Sequence, residues 1–547
     1  MKAKTELTLV CFIFLLAFFT RIFALSSSPP ALHNDEASFL YNAQALLQTG
    51  KDEDGRSWPL YLNSYIDPKP ALISYLQIPF VAILGTTTTA ARLPLAICGF
   101  MSLILVYILL KQLETKKSLR LICLFMLSLS PWHTTISRGT QEVIISFTLG
   151  LASLIFLNIL WKKNKSHVSI KKLLPTLFAF FVSFFLASYT YHSAKIVLPL
   201  LVILLLIKHQ AWQRKKIASL IIIITIFSTL GLTFLSPGGL KRAQAVSIFS
   251  DEAILAVVTE QLNTATPFTP PLILRTFFNK LVRAGITLYQ NYTSHFTAQF
   301  FLFSVDEPTR YNIPFQGLLY FFELPLLIIG ILLSYKKHHK TALFWLSWLF
   351  IAPLPATLTN QEIPSNIRAF WLIVPIYYFV AFAVWQIWQQ IKKTSLKTPA
   401  IGMSILIYLW HIAFFWHQSL FFWPVYQPWD RNYADQNMAA KIDQVGEGYK
   451  KIVISRFSGQ PYIYLALENL ISLPDLQNSY PQRLQTDYQF GKFQFKGDKC
   501  YLGTEENTLY AVEVTCDVPA EYKKIGRASH KDGNGGYLFV EYQKKNN

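Results

Sequence analysis

Residues 93–120 read LPLAICGFMSLILVYILLKQLETKKSLR, an uncharged apolar run followed by a short basic loop. The run has close to the ~20 apolar residues that a helix needs to cross the hydrocarbon core of a bilayer. The same pair of features recurs along the chain, in which 52% of the residues are hydrophobic and only 15% are charged. The pattern predicts a polytopic α-helical membrane protein.

Six short loops carry the charge imbalance of the chain. They hold 21 of its 50 Lys and Arg residues but only two of its 31 acids, so 29 residues of each sign remain elsewhere. An excess of Lys and Arg in short loops marks the cytoplasmic side. The net charge of +19 therefore indicates membrane orientation, and we expect no nucleic-acid partner. The loops are Met1–Glu6, Lys111–Arg120, Lys162–Lys172, Lys208–Lys216, Lys336–Lys340 and Lys392–Lys397.

The apolar runs between these loops predict about 11–13 transmembrane helices, with a cytoplasmic N-terminus. A shorter apolar run at 71–85 favours an interfacial or re-entrant helix. Two long outer loops, 28–92 and 236–316, follow from this order, and the membrane region ends near 425. The clearest runs are 7–27, 93–110, 121–135, 142–161, 173–191, 195–207, 217–235, 317–335, 341–358, 369–390 and 399–419.

The tail, residues 426–547, is much less apolar and predicts a small extracytoplasmic α/β domain. YADQNMAAKIDQV has the spacing of an amphipathic helix, whereas KKIVISRF, TLYAVEVTC and YLFVEYQ are typical of strands and KDGNGGY of a turn. Cys500 and Cys516 are the two cysteines of this domain. An oxidising compartment favours a disulfide between them, and two unlinked thiols are the alternative.

The sequence His33-Asn34-Asp35-Glu36 directly follows the first predicted span, on the outer side. Asn34 or Asp35 would cap the following helix, whose apolar spacing suits a helix at the membrane surface. On spacing alone the cap is the favoured interpretation. A carboxylate at the lipid boundary beside basic groups is also how a general base is placed, so both interpretations stay open.

Several basic side chains fall on the same outer side, where the basic-loop pattern does not explain them. For any one of them, a cation reaching the lipid boundary from a helix end is the simpler interpretation, and Arg21 within the first span is expected to do so or to find a partner. Together they indicate a bound anion such as a lipid phosphate. The outer cations are Lys69, Arg138, His192, Lys195, Arg242 and Arg368.

Long stretches of the chain are similar to bacterial members of the protein-O-mannosyltransferase superfamily, glycosyltransferase family 39, which includes the lipid A aminoarabinose transferases. The resemblance covers nearly all of the membrane region and implies the GT-C fold. It departs after Lys69, where one proline stands instead of two in succession. It rests on the run from DEASFLYNAQALLQTG to YIDPKPALISYLQIPF, and on ARLPLAICG, SPWHTTISRGTQE, YHSAKIVLP, RYNIPFQGLLYFFELPLLIIG and IRAFWLIVP.

The resemblance implies an inverting glycosyltransferase with a polyprenyl-phosphate-linked sugar as donor. By position, Asp35 would be the general base and Glu36 would orient the acceptor. Lys69 and Arg138 would face the donor phosphate. Weaker matches would add His192, Lys195 and Arg368 to the phosphate site, and Glu142 and Tyr191 to substrate binding.

A phosphate leaves without needing a protonated acid, so one carboxylate base and several cations suffice for this chemistry. No zinc-type ligand spacing is present, although acids with His33 leave a divalent cation open. The sugar and the acceptor, whether protein, lipid or glycan, leave no signature in the sequence.

Two other functional classes stay open: a flippase or transporter for lipid-linked sugars, and an assembly component for envelope polymers. We expect a location in the bacterial cytoplasmic membrane.

Overall fold

The computed structural model describes residues 3–64, 67–164, 170–210, 216–235, 247–250, 252–303, 309–456, 460–480 and 485–544. The chain folds into two structural units, each assembled from segments that are separate in sequence. The helical unit comprises Met1–Arg21, Ile97–Ser137 and Gln141–Phe415, and the mixed unit comprises Ile22–Ala96, Arg138–Thr140 and Trp416–Asn547.

Apolar helices occupy most of the predicted spans, and shorter helices lie between them. Those in or entering the helical unit are α1 (Ala3–Ile22), α4 (Thr88–Gln112), α5 (Lys117–Ser128), α6 (Pro131–Arg138), α7 (Glu142–Asn164), α8 (Ile170–Thr190), α9 (His192–Lys208), α10 (Lys216–Leu235), α11 (Glu252–Ala265), α12 (Pro271–Phe277), α13 (Lys280–Ser294), α14 (Ala298–Leu302), α15 (Glu323–Ile351), α16 (Leu354–Thr357), α17 (Ile373–Ile391) and α18 (Lys397–His417).

Within the described ranges, five helices are long and apolar enough to cross a bilayer, and α5 with α6 makes a sixth if that pair is one span. The two are bent by 54°. Pro131 disfavours a helical conformation at the residue before it, which explains the break. The predicted count is higher because α15 carries two predicted spans joined at a kink, His338, and because α1 and α10 are shorter apolar helices.

Close packing holds neighbouring helices of this unit together. A Cβ on Gly330 of α15 would stand 1.9 Å from the carbonyl oxygen of Phe379 in α17, so only glycine permits this approach. Arg21 does not extend to the lipid boundary. It is fully buried and donates to the carbonyl oxygens of Ala17 and Ser128, both at 2.9 Å. Of the two expected outcomes for Arg21, partners inside the protein are the one observed.

The mixed unit contains the first outer loop and the tail. The loop forms α2 (Asn34–Thr49), a hairpin of β1 (Tyr61–Ser64) and β2 (Asp67–Pro70), and α3 (Leu72–Leu84). The tail forms α19 (Tyr433–Val445), α20 (Tyr462–Leu467) and α21 (Leu473–Asn478), with strands β3 (Lys451–Ser455), β4 (Tyr488–Phe490), β5 (Phe493–Lys496), β6 (Thr508–Glu513), β7 (Tyr522–Ala528) and β8 (Tyr537–Tyr542).

The six tail strands form one sheet in the order β4-β5-β3-β6-β8-β7. Strand β3 runs parallel to β5 and β6, and the remaining pairs are antiparallel. The predicted tail helix and three predicted strands are confirmed as α19, β3, β6 and β8. Strands β4, β5 and β7 were not predicted. A disulfide joins Cys500 to Cys516, whose Cα atoms are 5.5 Å apart.

The first outer loop and the tail share one hydrophobic core, so the structure divides the chain differently from the predicted boundary at residue 425. Leu40 and Tyr41 of α2 are buried in the same cluster as Met438 of α19, Ile463 of α20 and Phe539 of β8. Helix α2 was expected at the membrane surface, but most of its side chains are buried within this unit. Sequence composition shows that a segment is apolar, but not which other segment covers it.

Candidate functional site

Helix α2 begins at a capping box built on a histidine. His33 is the N-cap, and its ring Nδ1 accepts from the backbone N–H of Asp35 at 3.2 Å. The Glu36 carboxylate accepts in return from the backbone N–H of His33, also at 3.2 Å. The expectation that Asn34 or Asp35 caps the helix was therefore wrong. Because His33 satisfies the helix end, the Asp35 side chain is not used as the cap.

Glu36 is fully buried and neutralised by two arginines. Arg92 from the start of α4 reaches both carboxylate oxygens at 3.1 Å, and Arg431 from the tail pairs with one of them. The backbone N–H of Thr140 donates a further hydrogen bond at 2.9 Å. Burial opposes ionisation of Glu36, but these charges and hydrogen bonds outweigh it and hold its pKa well below the usual range. The contacts favour a positioning role, and acceptor orientation by Glu36 stays a prediction.

The neighbouring Asp35 lies in a different environment. Its side chain is 30% exposed, and one of its oxygens pairs with the ammonium group of Lys69, which is only 6% exposed. Lys69 lies in β2, opposite Leu62 of β1, and its Nζ is 5.7 Å from the centre of the Phe39 ring. The hairpin thus brings together two residues predicted for the site and separated by 34 positions.

Tail residues hold the segment that leads into α2. The ring hydroxyl of Tyr464 donates to the Leu32 carbonyl at 2.8 Å, and the Gln436 side chain accepts from the Leu32 N–H at 3.2 Å. Arg431 also donates to the carbonyl of Pro30 at 3.0 Å. These bonds fix the backbone three to five residues before Asp35, so the tail helps to position this carboxylate.

Arg138 belongs to the mixed unit as well, but its described contacts are with backbone and an aromatic ring. It is buried, and its guanidinium donates to the carbonyls of Ala24 and Ser28 at 3.0 and 2.9 Å. It also lies 5.1 Å from the centre of the Trp416 ring. These contacts favour an anchoring role for Arg138, and its contact with a donor phosphate stays a prediction.

The helical unit contains a mainly apolar cavity of about 300 Å3. Three residues predicted for the site, Tyr191, His192 and Arg368, line it. The rest of the lining is largely apolar and includes Ile196, Phe234, Phe249, Pro355 and Leu358. A cationic and hydrogen-bonding group on the wall of an apolar cavity suits an amphiphile with an anionic head.

Two more predicted residues lie near this cavity. The Lys195 ammonium is 3.3 Å from the His192 ring nitrogen and 5.2 Å from the centre of the Phe234 ring. Glu142, in the first turn of α7, is one of the charged neighbours of Tyr191. The structure thus gathers His192, Lys195, Arg368, Tyr191 and Glu142 in the helical unit.

A charged trio adjoins the same cavity. Glu362 pairs with Arg310, and its second oxygen lies 3.8 Å from a guanidinium nitrogen of Arg368. Sequence reasoning did not single out Glu362, Arg310, Arg92 or Arg431. The cations could have been noticed, because the basic-loop pattern does not explain them either. Arg242, predicted with the outer cations, lies outside the described residues.

No protein-family model matches the chain, and no curated protein matches its sequence. Among solved structures, ArnT from Cupriavidus metallidurans bound to undecaprenyl phosphate aligns with a TM-score of 0.52 at 11% identity, over 99% of this chain and 98% of that one. An Archaeoglobus fulgidus oligosaccharyltransferase tethered with an acceptor peptide gives 0.49 at 14% identity, over 85% of this chain and 63% of that one. The chain thus spans just under two thirds of the length of the archaeal enzyme.

The alignment with ArnT runs from end to end and shows the fold. The chain is a multi-pass helical membrane protein of the GT-C fold with a C-terminal sheet domain, as the sequence predicted. The fold by itself does not assign a reaction, because function depends on the site that the fold carries.

Proposed function

We propose that this protein is an inverting glycosyltransferase that moves a sugar from a polyprenyl-phosphate donor to an acceptor hydroxyl. The observation that carries the proposal is the contrast between two adjacent carboxylates. Glu36 is enclosed by Arg92, Arg431 and the Thr140 N–H, whereas Asp35 is partly exposed beside Lys69. One carboxylate is thereby left accessible for proton transfer on a rigidly held helix end.

In the proposed reaction, the Asp35 carboxylate removes the proton of the acceptor hydroxyl as its oxygen attacks the anomeric carbon. The bond between that carbon and the phosphate oxygen breaks, and the electron pair leaves with the polyprenyl phosphate. Lys69 is close enough to Asp35 to neutralise charge at the reacting centre. No second carboxylic acid is required, because phosphate is a good leaving group at neutral pH.

The apolar cavity of the helical unit supports a lipid donor. Its wall combines Phe234, Phe249 and Leu358 with the guanidinium of Arg368 and the ring of His192, which matches an isoprenoid chain with a phosphate head. Binding of undecaprenyl phosphate, which the ArnT structure contains, is therefore proposed for this chain as well.

The test is Asp35→Asn in the purified full-length protein, supplied with polyprenyl-phosphate-linked sugars and membrane acceptor extracts. We expect transfer to fall by ~10²-fold or more, because the amide cannot take up the proton. Donor binding should be largely retained. Asp443→Asn, an exposed carboxylate of α19 in the same unit, is the matched control and should transfer at the wild-type rate.

A transfer rate for Asp35→Asn close to wild type would refute the assignment of the base. If the wild-type protein moved lipid-linked sugar across vesicle membranes without transferring it, the transporter alternative would replace the enzyme.

We further propose that the reaction takes place on the outer face of the bacterial cytoplasmic membrane, with the N-terminus inside. Ser118 lies at the start of α5, within the predicted basic loop Lys111–Arg120, and Asn534 lies in the tail; both are exposed. In intact cells, a membrane-impermeant thiol reagent should label Asn534→Cys but not Ser118→Cys, relative to the unsubstituted chain. Labelling of Ser118→Cys from outside would reverse the orientation.

A further inference from the structure

The mixed unit contains a second cavity, of about 430 Å3, whose lining is polar. Hydroxyl, amide and carboxylate side chains from three separate segments form most of its wall. The start of α4 and the turn before it supply three consecutive threonines, α19 supplies a glutamine, and the residues after α20 supply the other two. These side chains are Thr86, Thr87, Thr88, Gln436, Glu468 and Asn469.

This polar cavity adjoins the segment that carries Asp35. Leu32 and Tyr464 both line it, and they are joined by the hydrogen bond from the Tyr464 hydroxyl to the Leu32 carbonyl. Leu32 precedes Asp35 by three residues, which can separate their Cα atoms by at most about 11 Å. A molecule in the cavity that is longer than a single ring would have the length to span that distance from Leu32 to Asp35.

The charge of the lining limits what binds. No lysine, arginine or histidine is among the described residues of the wall, and Glu468 is the one carboxylate. A phosphate or another anion would meet no countercharge there and would be repelled by Glu468. The preferred occupant is neutral or cationic, in contrast to the occupant proposed for the apolar cavity.

The secondary structure of the wall favours a carbohydrate over a peptide. None of the wall residues lies in a strand, so the described wall offers no strand edge with which an extended peptide could pair. Several side chains instead present donors and acceptors in different directions, which suits the hydroxyl groups of sugar rings.

We propose that this polar cavity binds the acceptor, and that the acceptor is a neutral, hydroxyl-rich saccharide. The proposal rests on the proposed function and gives the tail domain a role in it: α19 and the end of α20 form the acceptor subsite. The hydroxyl that attacks the donor sugar would belong to the saccharide ring nearest Leu32.

The experiment uses the full-length protein in detergent on an array of neutral oligosaccharides, with phosphorylated saccharides and a Ser/Thr-rich peptide alongside. Two variants keep side-chain size: Thr88→Val removes a hydroxyl group of the wall, and Glu468→Gln removes its negative charge. Thr89→Val and Glu447→Gln are matched controls, because neither residue lines the cavity. Thr87 is left unchanged, because its hydroxyl accepts from the Ala90 N–H at 3.2 Å at the start of α4.

We expect wild type and both controls to bind neutral oligosaccharides, and each cavity variant to bind them about fivefold to tenfold more weakly. The proposal is overturned if no neutral oligosaccharide binds, if the peptide or the phosphorylated saccharides bind in preference, or if the cavity variants bind like the controls.

Asp35→Asn separates this proposal from the proposed function. If it loses transfer while no neutral saccharide binds the wild type, the acceptor site is wrong and the enzyme assignment stands. If saccharides bind as expected and Asp35→Asn still transfers sugar, the subsite stands and the base assignment fails.

Discussion

Each of the two units contains a trio of one glutamate and two arginines, and the trios differ mainly in burial. In the mixed unit, Glu36 with Arg92 and Arg431 has side chains that are at most 2% exposed. In the helical unit, Glu362 with Arg310 and Arg368 has side chains that are 15–27% exposed. The two trios have the same chemical groups and the same formal charge, but they differ in how far solvent reaches their side chains.

Burial decides what such a trio can do. A buried carboxylate with two guanidiniums resists the loss of any member, because the remaining charge would be stranded away from water. A partly exposed trio gains little stability from its ion pairs, and its arginine can turn to an incoming anion. The buried trio therefore fixes the segment before Asp35, whereas the exposed trio leaves Arg368 available to the apolar cavity.

The sharpest test of this comparison removes one arginine from the buried trio. We expect Arg431→Met to lower the free energy of unfolding of the mixed unit by about 3 kcal/mol, since Glu36 loses a partner within a buried site. Thermal unfolding in detergent, followed by the far-ultraviolet signal of the sheet, measures the change. A loss no larger than that of Arg368→Met would show that burial does not separate the trios.

The matching change in the exposed trio is Arg368→Met. Here we expect little change in stability, but about a tenfold rise in KM for the polyprenyl-phosphate donor, because one charge-assisted hydrogen bond to the phosphate is lost. Arg368→Lys should recover part of the affinity. An unchanged KM would mean that the phosphate does not contact Arg368 and would weaken the case for the apolar cavity as the donor site.

The smallest expected effect is on the dependence of stability on pH. The pKa of Glu36 in the folded protein lies below its ordinary value of 4.5, so its contribution to stability is complete above that pH. It declines as the pH falls towards the folded-state pKa, because the unfolded chain takes up the proton first. Below pH 4.5 the wild type should lose stability by up to about 1.4 kcal/mol per pH unit more than Glu36→Gln does. If the stability of the wild type and that of Glu36→Gln declined in parallel below pH 4.5, the lowered pKa of Glu36 would be contradicted.

The sequence predicted much of the fold because the relevant signals are local. Apolar runs and basic loops repeat over tens of residues, and they indicated α4, α7, α8, α17 and α18. The tail helix α19 and the central strands were also predicted from their periodicity. Strand β7 was not, because its exposed and buried residues do not alternate clearly. Strand β4 does alternate, but over only three residues, which is too short for a pattern to be recognised.

The candidate site was predicted only in part. Asp35, Glu36 and Lys69 were selected from the sequence, and the structure places them around the start of α2. Their different environments were not predicted. Arg431 lies 395 residues after Glu36, and no pattern in either segment records that the two side chains meet.

By itself, then, the sequence determined the class of protein, the expected orientation in the membrane and the position of the acidic pair beside the first span. Each of these depends on hydrophobicity or charge summed along a continuous segment. Only the tertiary structure decided which carboxylate is accessible, because accessibility depends on side chains that arrive from distant segments. Arg92 and Arg431 exclude water from Glu36, while Asp35, one residue earlier, stays partly exposed beside Lys69.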